Sequence, residues 1–444
     1  MAGALAMSAL ALLLGQTVED VQVGARVEAR ATTLDQPGLP RVTRAAYAAT
    51  PGAQLLARAD WLLLTVAYAP TLWSSDLAAD PSPIVNQRAK VSLEAGNGRR
   101  WHGLGSVAAS RVWTDPLGDL RSASVLTGQV ATVQKVNMED LRADLLGDYG
   151  LDERTTVALN LGWMVSQTVD PNQRDVLPTQ KNLIAGATLW HILSVRDRVQ
   201  LNVNGQRIQT ITAGTTTLSA FAAGTADWYR KLTLDFQGRL GAGATLVWPG
   251  TPGGPYQVLP SATLQLIWNG DASANGDVGV RLTAFVDRWT GQVGLMLQGA
   301  ANLRLTLGEA LVLTAFASAG ARPSGETKLA RADVSLNWSL LDWLALDSGI
   351  RAWRQVEQRP GLPTFNEAAV FVAVVFGSNA RALGGSRTGT GTGTGSGSSG
   401  GGAGGTGADG FGGGLGGGGV GVGGVGGVGG GGADGTAGDG KPSS

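Results

Sequence analysis

Apolar and polar residues exchange places at every second position through most of this chain, and that rhythm restricts its fold more than any other feature. Val21, Val23, Ala25, Val27 and Ala29 interleave with Gln22, Gly24, Arg26, Glu28 and Arg30. A period of two puts each set on one face of a β-strand. The beat recurs in Ala89-Val91-Leu93-Ala95 against Arg88-Lys90-Ser92-Glu94, and in Leu141-Ala143-Leu145 against Asp140-Arg142-Asp144. It continues through Val157-Leu159-Leu161-Trp163-Val165, Val199-Leu201-Val203, Val278-Val280-Leu282-Ala284-Val286, Ala330-Ala332-Val334-Leu336-Trp338 and Leu344-Leu346-Ile350-Ala352. No stripe of helical period competes with it. Segments 101–113 and 183–193 alternate poorly and are read as strands because their neighbours require it.

The breaks between these segments fall into two classes. Short ones lie at 57–61, 96–99, 150–154, 194–197, 307–310 and 340–343, and long ones at 32–41, 74–85, 115–128, 168–179, 214–224, 248–255, 322–326 and 355–363. With weaker breaks near Gly238, Asn269 and Gly291 the count reaches about eighteen strands; sixteen is the alternative, because Gly238 and 115–128 mark breaks less clearly. Long strands with short turns at one rim and long loops at the other fit an all-β fold, a closed antiparallel transmembrane β-barrel. Closure leaves no unpaired backbone edge in hydrocarbon. A soluble β-sandwich is the competing fold.

Thirteen tryptophans help to decide between them. Trp61, Trp101, Trp190, Trp338 and Trp343 stand beside short turns, and Trp73, Trp113, Trp248, Trp289 and Trp353 beside breaks on the long-loop side, as two interfacial girdles require. A sandwich would bury its tryptophans in mid-strand instead.

Composition then removes whole classes of function. The 34 Lys and Arg cancel the 34 Asp and Glu, so nucleic acid is not an expected partner. Charged residues make up only 15% and mean hydropathy is +0.06, a poor match to an ordinary soluble enzyme. There is no Cys, which excludes disulfides, thiol catalysis and Cys-ligated metal. Of the two His, His102 adjoins Trp101 at a rim and is read as interfacial, while His191 has Ser194 nearby only at a turn. Neither supports a Ser-His hydrolase. Asp140 and Asp144, four residues apart on a strand, stand about 13 Å apart, too far for a concerted acid–base pair. No catalytic residue, metal or cofactor is expected.

Three regions follow. Residues 1–18 form an uncharged Ala/Leu-rich start of the kind found in a secretory signal, with cleavage near 15–17 but without a basic leader. Residues 19–376 form the barrel. Residues 377–444, dense in glycine, bury too little to offset backbone entropy and are expected to be a disordered tail.

The last apolar segment, Phe365-Asn-Glu-Ala-Ala-Val-Phe-Val-Ala-Val-Val-Phe376, resembles the closing strand of Gram-negative outer-membrane β-barrel proteins. The resemblance implies a porin-like architecture, residence in the bacterial outer membrane, and recognition of Ala368, Val370, Val372, Val374 and Phe376 by the β-barrel assembly machinery. Family members usually stop at the terminal aromatic, whereas here a tail follows, expected in the periplasm. Thr65-Val-Ala-Tyr-Ala-Pro-Thr-Leu-Trp73 and Val27-Glu-Ala-Arg-Ala31 also resemble barrels of the delta-proteobacterial type.

With apolar positions toward outer-membrane lipid, the charges on the opposite beat line the lumen: Arg26, Glu28, Arg30, Arg88, Lys90, Glu94, Asp140, Arg142, Asp144, Arg281, Asp287, Arg331, Asp333, Asp347, Arg351 and Glu367. They can brace the wall as cross-strand ion pairs or set solute preference. Barrels of this size leave a channel, so passive diffusion of small solutes with weak ion selectivity is the expected function. A non-conducting scaffold whose long loops bind a surface partner is the alternative.

Overall fold

The computed structural model describes residues 17–377, apart from 60, 75–83, 97–99, 115–135, 171, 173–176, 213, 249–255, 271–272, 288–292, 309 and 359–363. The expected signal segment up to residue 16 and the expected tail after 377 lie outside the described residues.

Every described element of more than one turn is a β-strand. In chain order they are β1 Thr17–Asp35, β2 Val42–Ala59, β3 Leu62–Tyr68, β4 Thr71–Ser74, β5 Ile84–Gly96, β6 Trp101–Thr114, β7 Val136–Gly150, β8 Thr155–Thr168, β9 Thr179–Ile192 and β10 Asp197–Ile211. There follow β11 Thr216–Lys231, β12 Phe236–Trp248, β13 Gln257–Asn269, β14 Ala274–Val286, β15 Val293–Leu307, β16 Leu311–Ala321, β17 Thr327–Leu341, β18 Leu344–Glu357 and β19 Phe365–Gly377. Both β3 and β4 pair with β2 on one side and β5 on the other, so they are one strand interrupted at Ala69-Pro70, where proline cannot donate to a ladder. Counted this way the barrel has eighteen strands.

Neighbours in sequence are neighbours in the sheet, all antiparallel, and β1 pairs with β19 to close it, with Ala25 opposite Phe376 and Ala31 opposite Val370. The short connections, such as the one between β7 and β8, gather at one rim. There Asp152 accepts the Arg154 amide at 2.7 Å and the Thr155 hydroxyl at 3.0 Å, and these hydrogen bonds hold its carboxyl below the usual carboxylate range. Two expected breaks are corrected. Gly238 sits inside β12, the turn before it being formed by 232–235, and the break expected at 214–224 ends before Thr216, where β11 begins. In both places glycine and small residues continue a strand rather than end it.

The two faces of the wall differ sharply. Val21, Leu159, Val203, Leu264 and Ile350 are exposed on the outer face, Leu159 by 60% and Val203 by 62%, and the outward beat of β19 carries Ala368, Val370, Val372, Val374 and Phe376. The inward beat of the same strands holds buried Arg26, Glu28, Arg331, Asp333 and Asp347. An apolar surface that encircles a closed barrel is matched by hydrocarbon, not by water.

This arrangement makes the cost of a charge depend on the face. Leu161→Arg and Val334→Arg should each destabilise the folded barrel by about 2 to 4 kcal/mol if near the bilayer midplane. Ser106→Arg, inward and opposite Asp144, should cost less than either. Urea titration of refolding into lipid vesicles measures all three.

Candidate functional site

Alternation alone places charges two residues apart on the inner wall; the register between strands decides which of them meet. On β17 and β18, Asp333 accepts from Arg331 of its own strand and from Arg351 Nε at 2.6 Å. On β1, Glu28 lies between Arg26 Nε at 3.1 Å and Arg30 Nη2 at 2.7 Å. Arg26 Nη1 also donates to Asp347 of β18 at 2.6 Å, reaching across the whole width of β19. This reach is possible because Glu28 and Asp347 both stand opposite Ala373 of β19, whose methyl group is too short to block the bridge. Gly349 has a related use. A Cβ there would lie 2.9 Å from carbons of the Phe371 ring, so glycine lets that ring lie flat on the wall, with the Arg26 guanidinium 5.8 Å from its centre. Glu367 is buried on the same wall.

Further round the wall, β5 to β7 carry a second group. Arg142 Nε donates to Asp144 Oδ2 at 2.5 Å, and the Ser110 hydroxyl to Asp140 at 3.4 Å. Arg88 and Lys90 lie beside them on the inward beat of β5. The interfacial reading of His102 is corrected: its ring turns inward, with Nδ1 3.1 Å from Asp148 Oδ1 and Nε2 3.1 Å from Glu94 Oε1. His191 faces outward, 3.0 Å from the Thr155 hydroxyl. Among the described residues no group of three or more His, Asp and Glu is placed to hold a metal ion.

On β14 and β15, buried Arg281 donates to Gln298 at 2.9 Å, and Asp287, just past β14, pairs with Arg322, just past β16. Between these groups lies a cluster that the sequence did not announce. Arg198 sits over Trp190 and Tyr229, 4.6 and 4.8 Å from their ring centres, and Arg239 lies 5.3 Å from Tyr229 while donating to Asp227 at 3.0 Å. Gly241 makes room, since a Cβ there would collide with the Asp227 carboxylate. Asp277 accepts from Asn302 at 3.0 Å and Gln265 at 3.1 Å. Arg198, Gln200 and Asn202 could have been found from the beat opposite Val199, Leu201 and Val203. Asp227 and Arg239 were hidden by the misplaced breaks at 214–224 and Gly238.

The expected aromatic girdle needs correction at two positions. Trp190 points inward into the arginine–tyrosine stack, and Trp353, only 3% exposed, packs inside with Leu34, Phe285, Met296, Leu329 and Phe365. Trp101, Trp248 and Trp338 are exposed on the outer face, Trp61 and Trp343 are exposed in the short turns before β3 and β18, and Trp113 stands on its outward beat. Trp289 and the side chain of Trp73 lie outside what is described. Two further apolar groups, Val112-Val136-Met138-Leu177 and Ile208-Phe221-Val247-Val286, also lie toward the long connections. The interior is therefore charged along its middle and apolar near that rim, a division the sequence reading did not expect.

No family model matches the chain, and no curated protein does. Among solved structures, Pseudomonas aeruginosa OccK11 (OpdR) is 11% identical with a TM-score of 0.44, covering 82% of this chain and 97% of its own. The outer membrane protein opdK of the same organism is 10% identical with a TM-score of 0.42, covering 81% of this chain and 99% of its own. The FrpB iron transporter of Neisseria meningitidis is 8% identical with a TM-score of 0.44, covering 83% of each chain. Identity this low and overlap this loose leave the barrel's own geometry as the basis for any functional reading.

The buried bridges give a graded expectation. Asp347→Ala leaves buried Arg26 with Glu28 as its remaining acid but takes the partner from its Nη1 in a site where Asp347 was 2% exposed, and should cost about 1 to 3 kcal/mol. Glu94→Gln removes a carboxylate whose side chain is 41% exposed and should cost under about 1 kcal/mol. Equilibrium unfolding of the two variants checks the difference.

Proposed function

We propose that this protein is a porin-like passive diffusion channel for small solutes in the bacterial outer membrane. The observation that carries the reading is the division of one closed wall into an apolar outer face and an inner face of charges held in place by one another. Such a wall can enclose a path for polar solutes through hydrocarbon without any catalytic group. Residence in the outer membrane is supported by the closed barrel and by the outward apolar beat of β19, which suits recognition by the assembly machinery. The delta-proteobacterial likeness of 65–73 and 27–31 belongs to the same reading, as do cleavage of the first residues as a signal and lipid as the outer partner. Gly377 ends β19 at the rim of short turns, which supports reading the chain beyond it as periplasmic.

Weak ion preference is part of the proposal. Selectivity in a wide pore needs an excess of one sign at the constriction. The inward charges read from sequence are sign-balanced, and the structure adds Arg44, Arg198, Lys231, Arg239, Arg304 and Arg322 against Asp148, Asp227, Asp277 and Glu357, a small excess of cations scattered between the two rims. Whatever field remains is further weakened at about 0.1 M salt, where the screening length is about 10 Å.

The test is conductance of the full-length protein in a planar bilayer. Discrete conductance steps are expected, with a reversal potential in a steep KCl gradient far from both ideal-selectivity limits. Silence from well-inserted protein would favour the non-conducting scaffold.

A further inference from the structure

The outer wall holds a polar seat that a purely apolar lipid belt does not require. On β5 to β8 the outward residues Gln87, Arg111, Glu139 and Gln167 stand in one register row, each opposite the next. Arg111 Nε lies 3.8 Å from Glu139 Oε1, and Gln167 Nε2 donates to Glu139 Oε2 at 3.4 Å, so this carboxylate steadies the row from within. Two residues toward the short turns the next outward row runs Tyr68, Ala89, Ala109, Leu141 and Val165. Its two adjacent alanines form a trough between Tyr68 and Leu141, and Trp163 stands at the trough's foot. The rows bound an open groove of about 520 Å³ on the membrane side, with Arg88, Ser110 and Asp140 of the intervening row at its base.

Val165 stands opposite outward Lys181 on β9, and Arg207 is exposed on β10 beside it. Toward the long connections of β6 to β10 the outward cations Arg111, Lys181 and Arg207 therefore exceed the acid Glu139, the other outward acid, Asp197, standing at the opposite rim. A cation on the lipid face costs less as it nears the interface, and least where an anion meets it.

We propose that this surface seats one phosphate-bearing lipid. The phosphate meets Arg111, Gln87 and Gln167 offer hydrogen bonds to the rest of the head, and an acyl chain enters the Ala89–Ala109 trough. Strands stand about 4.8 Å apart, so Lys181 and Arg207 supply the positive field around the head rather than a direct grip on the same phosphate. The inference needs the barrel to lie in a bilayer but does not need it to conduct.

Native mass spectrometry of the full-length protein in neutral detergent, titrated with phosphatidylglycerol and with uncharged diacylglycerol of the same chains, tests it. The expected result is one retained phosphatidylglycerol per chain and no retained diacylglycerol. Arg111→Gln should weaken retention about tenfold, the loss of one charge-assisted contact, and Arg111→Lys should restore part of it. Ala109→Leu, which fills the trough without changing charge, should weaken retention as well. Arg354→Gln, an outward cation on β18, should leave it unchanged, and conductance of every variant should match the parent. Equal retention of diacylglycerol, an equal loss in Arg354→Gln, displacement by inorganic phosphate, or a second copy of the chain in place of lipid would each overturn the proposal.

Discussion

Backbone amides and carbonyls inside a bilayer have no water to bond, so every one must find a partner in the chain. The pairing of β1 with β19 meets that requirement by removing the two edges that an open sheet would leave. Most else about the molecule depends on this closure. It fixes which strand lies beside which and which residue stands opposite which. Because side chains alternate, a slip of one residue would turn an entire strand's charges into hydrocarbon.

With register fixed, the interior is organised by size as much as by charge. Ala373 lets Arg26 and Asp347 join hands across a strand, Gly241 gives Asp227 room to reach Arg239, and Gly349 takes the Phe371 ring. Small residues on the inward beat are the hinges of the ion-pair network, because they allow long side chains to lie along the wall instead of standing into the lumen. The charges so held are largely withdrawn from water, and their first role is to brace the wall. The apolar collar formed by Leu34, Phe285, Met296, Leu329, Trp353 and Phe365 extends the same principle toward the long connections with dispersion in place of charge.

Much of this was legible in sequence, because a period of two is a property of single strands. Eighteen strands, the two classes of connection and the inward beat of Arg26, Arg331 and Asp347 could be read without knowing any pairing. The partners could not, since Arg26 and Asp347 lie 321 residues apart and meet only through register. Trp353 was assigned by its nearness to a loop, although it shares a beat with Asp347 and Arg351, which place it inside. Trp190 was misplaced for a related reason: it shares a beat with Asn182 on a segment whose alternation is weak. Glycine misled as well, since at Gly238 and in 214–224 it was read as a chain breaker where the sheet carries on.

The central claim is that one set of alternating positions faces lipid and the other an aqueous interior, and the absence of cysteine makes a direct measurement possible. Single cysteines at Leu159 and Val334 on the outward beat, and at Ser92 and Ser106 on the inward one, would be exposed in proteoliposomes to a small membrane-impermeant thiol reagent. The account predicts fast labelling at Ser92 and Ser106, and protection at Leu159 and Val334 until detergent is added. Fast labelling of Leu159 in intact vesicles, or a pattern that ignores the beat, would contradict it.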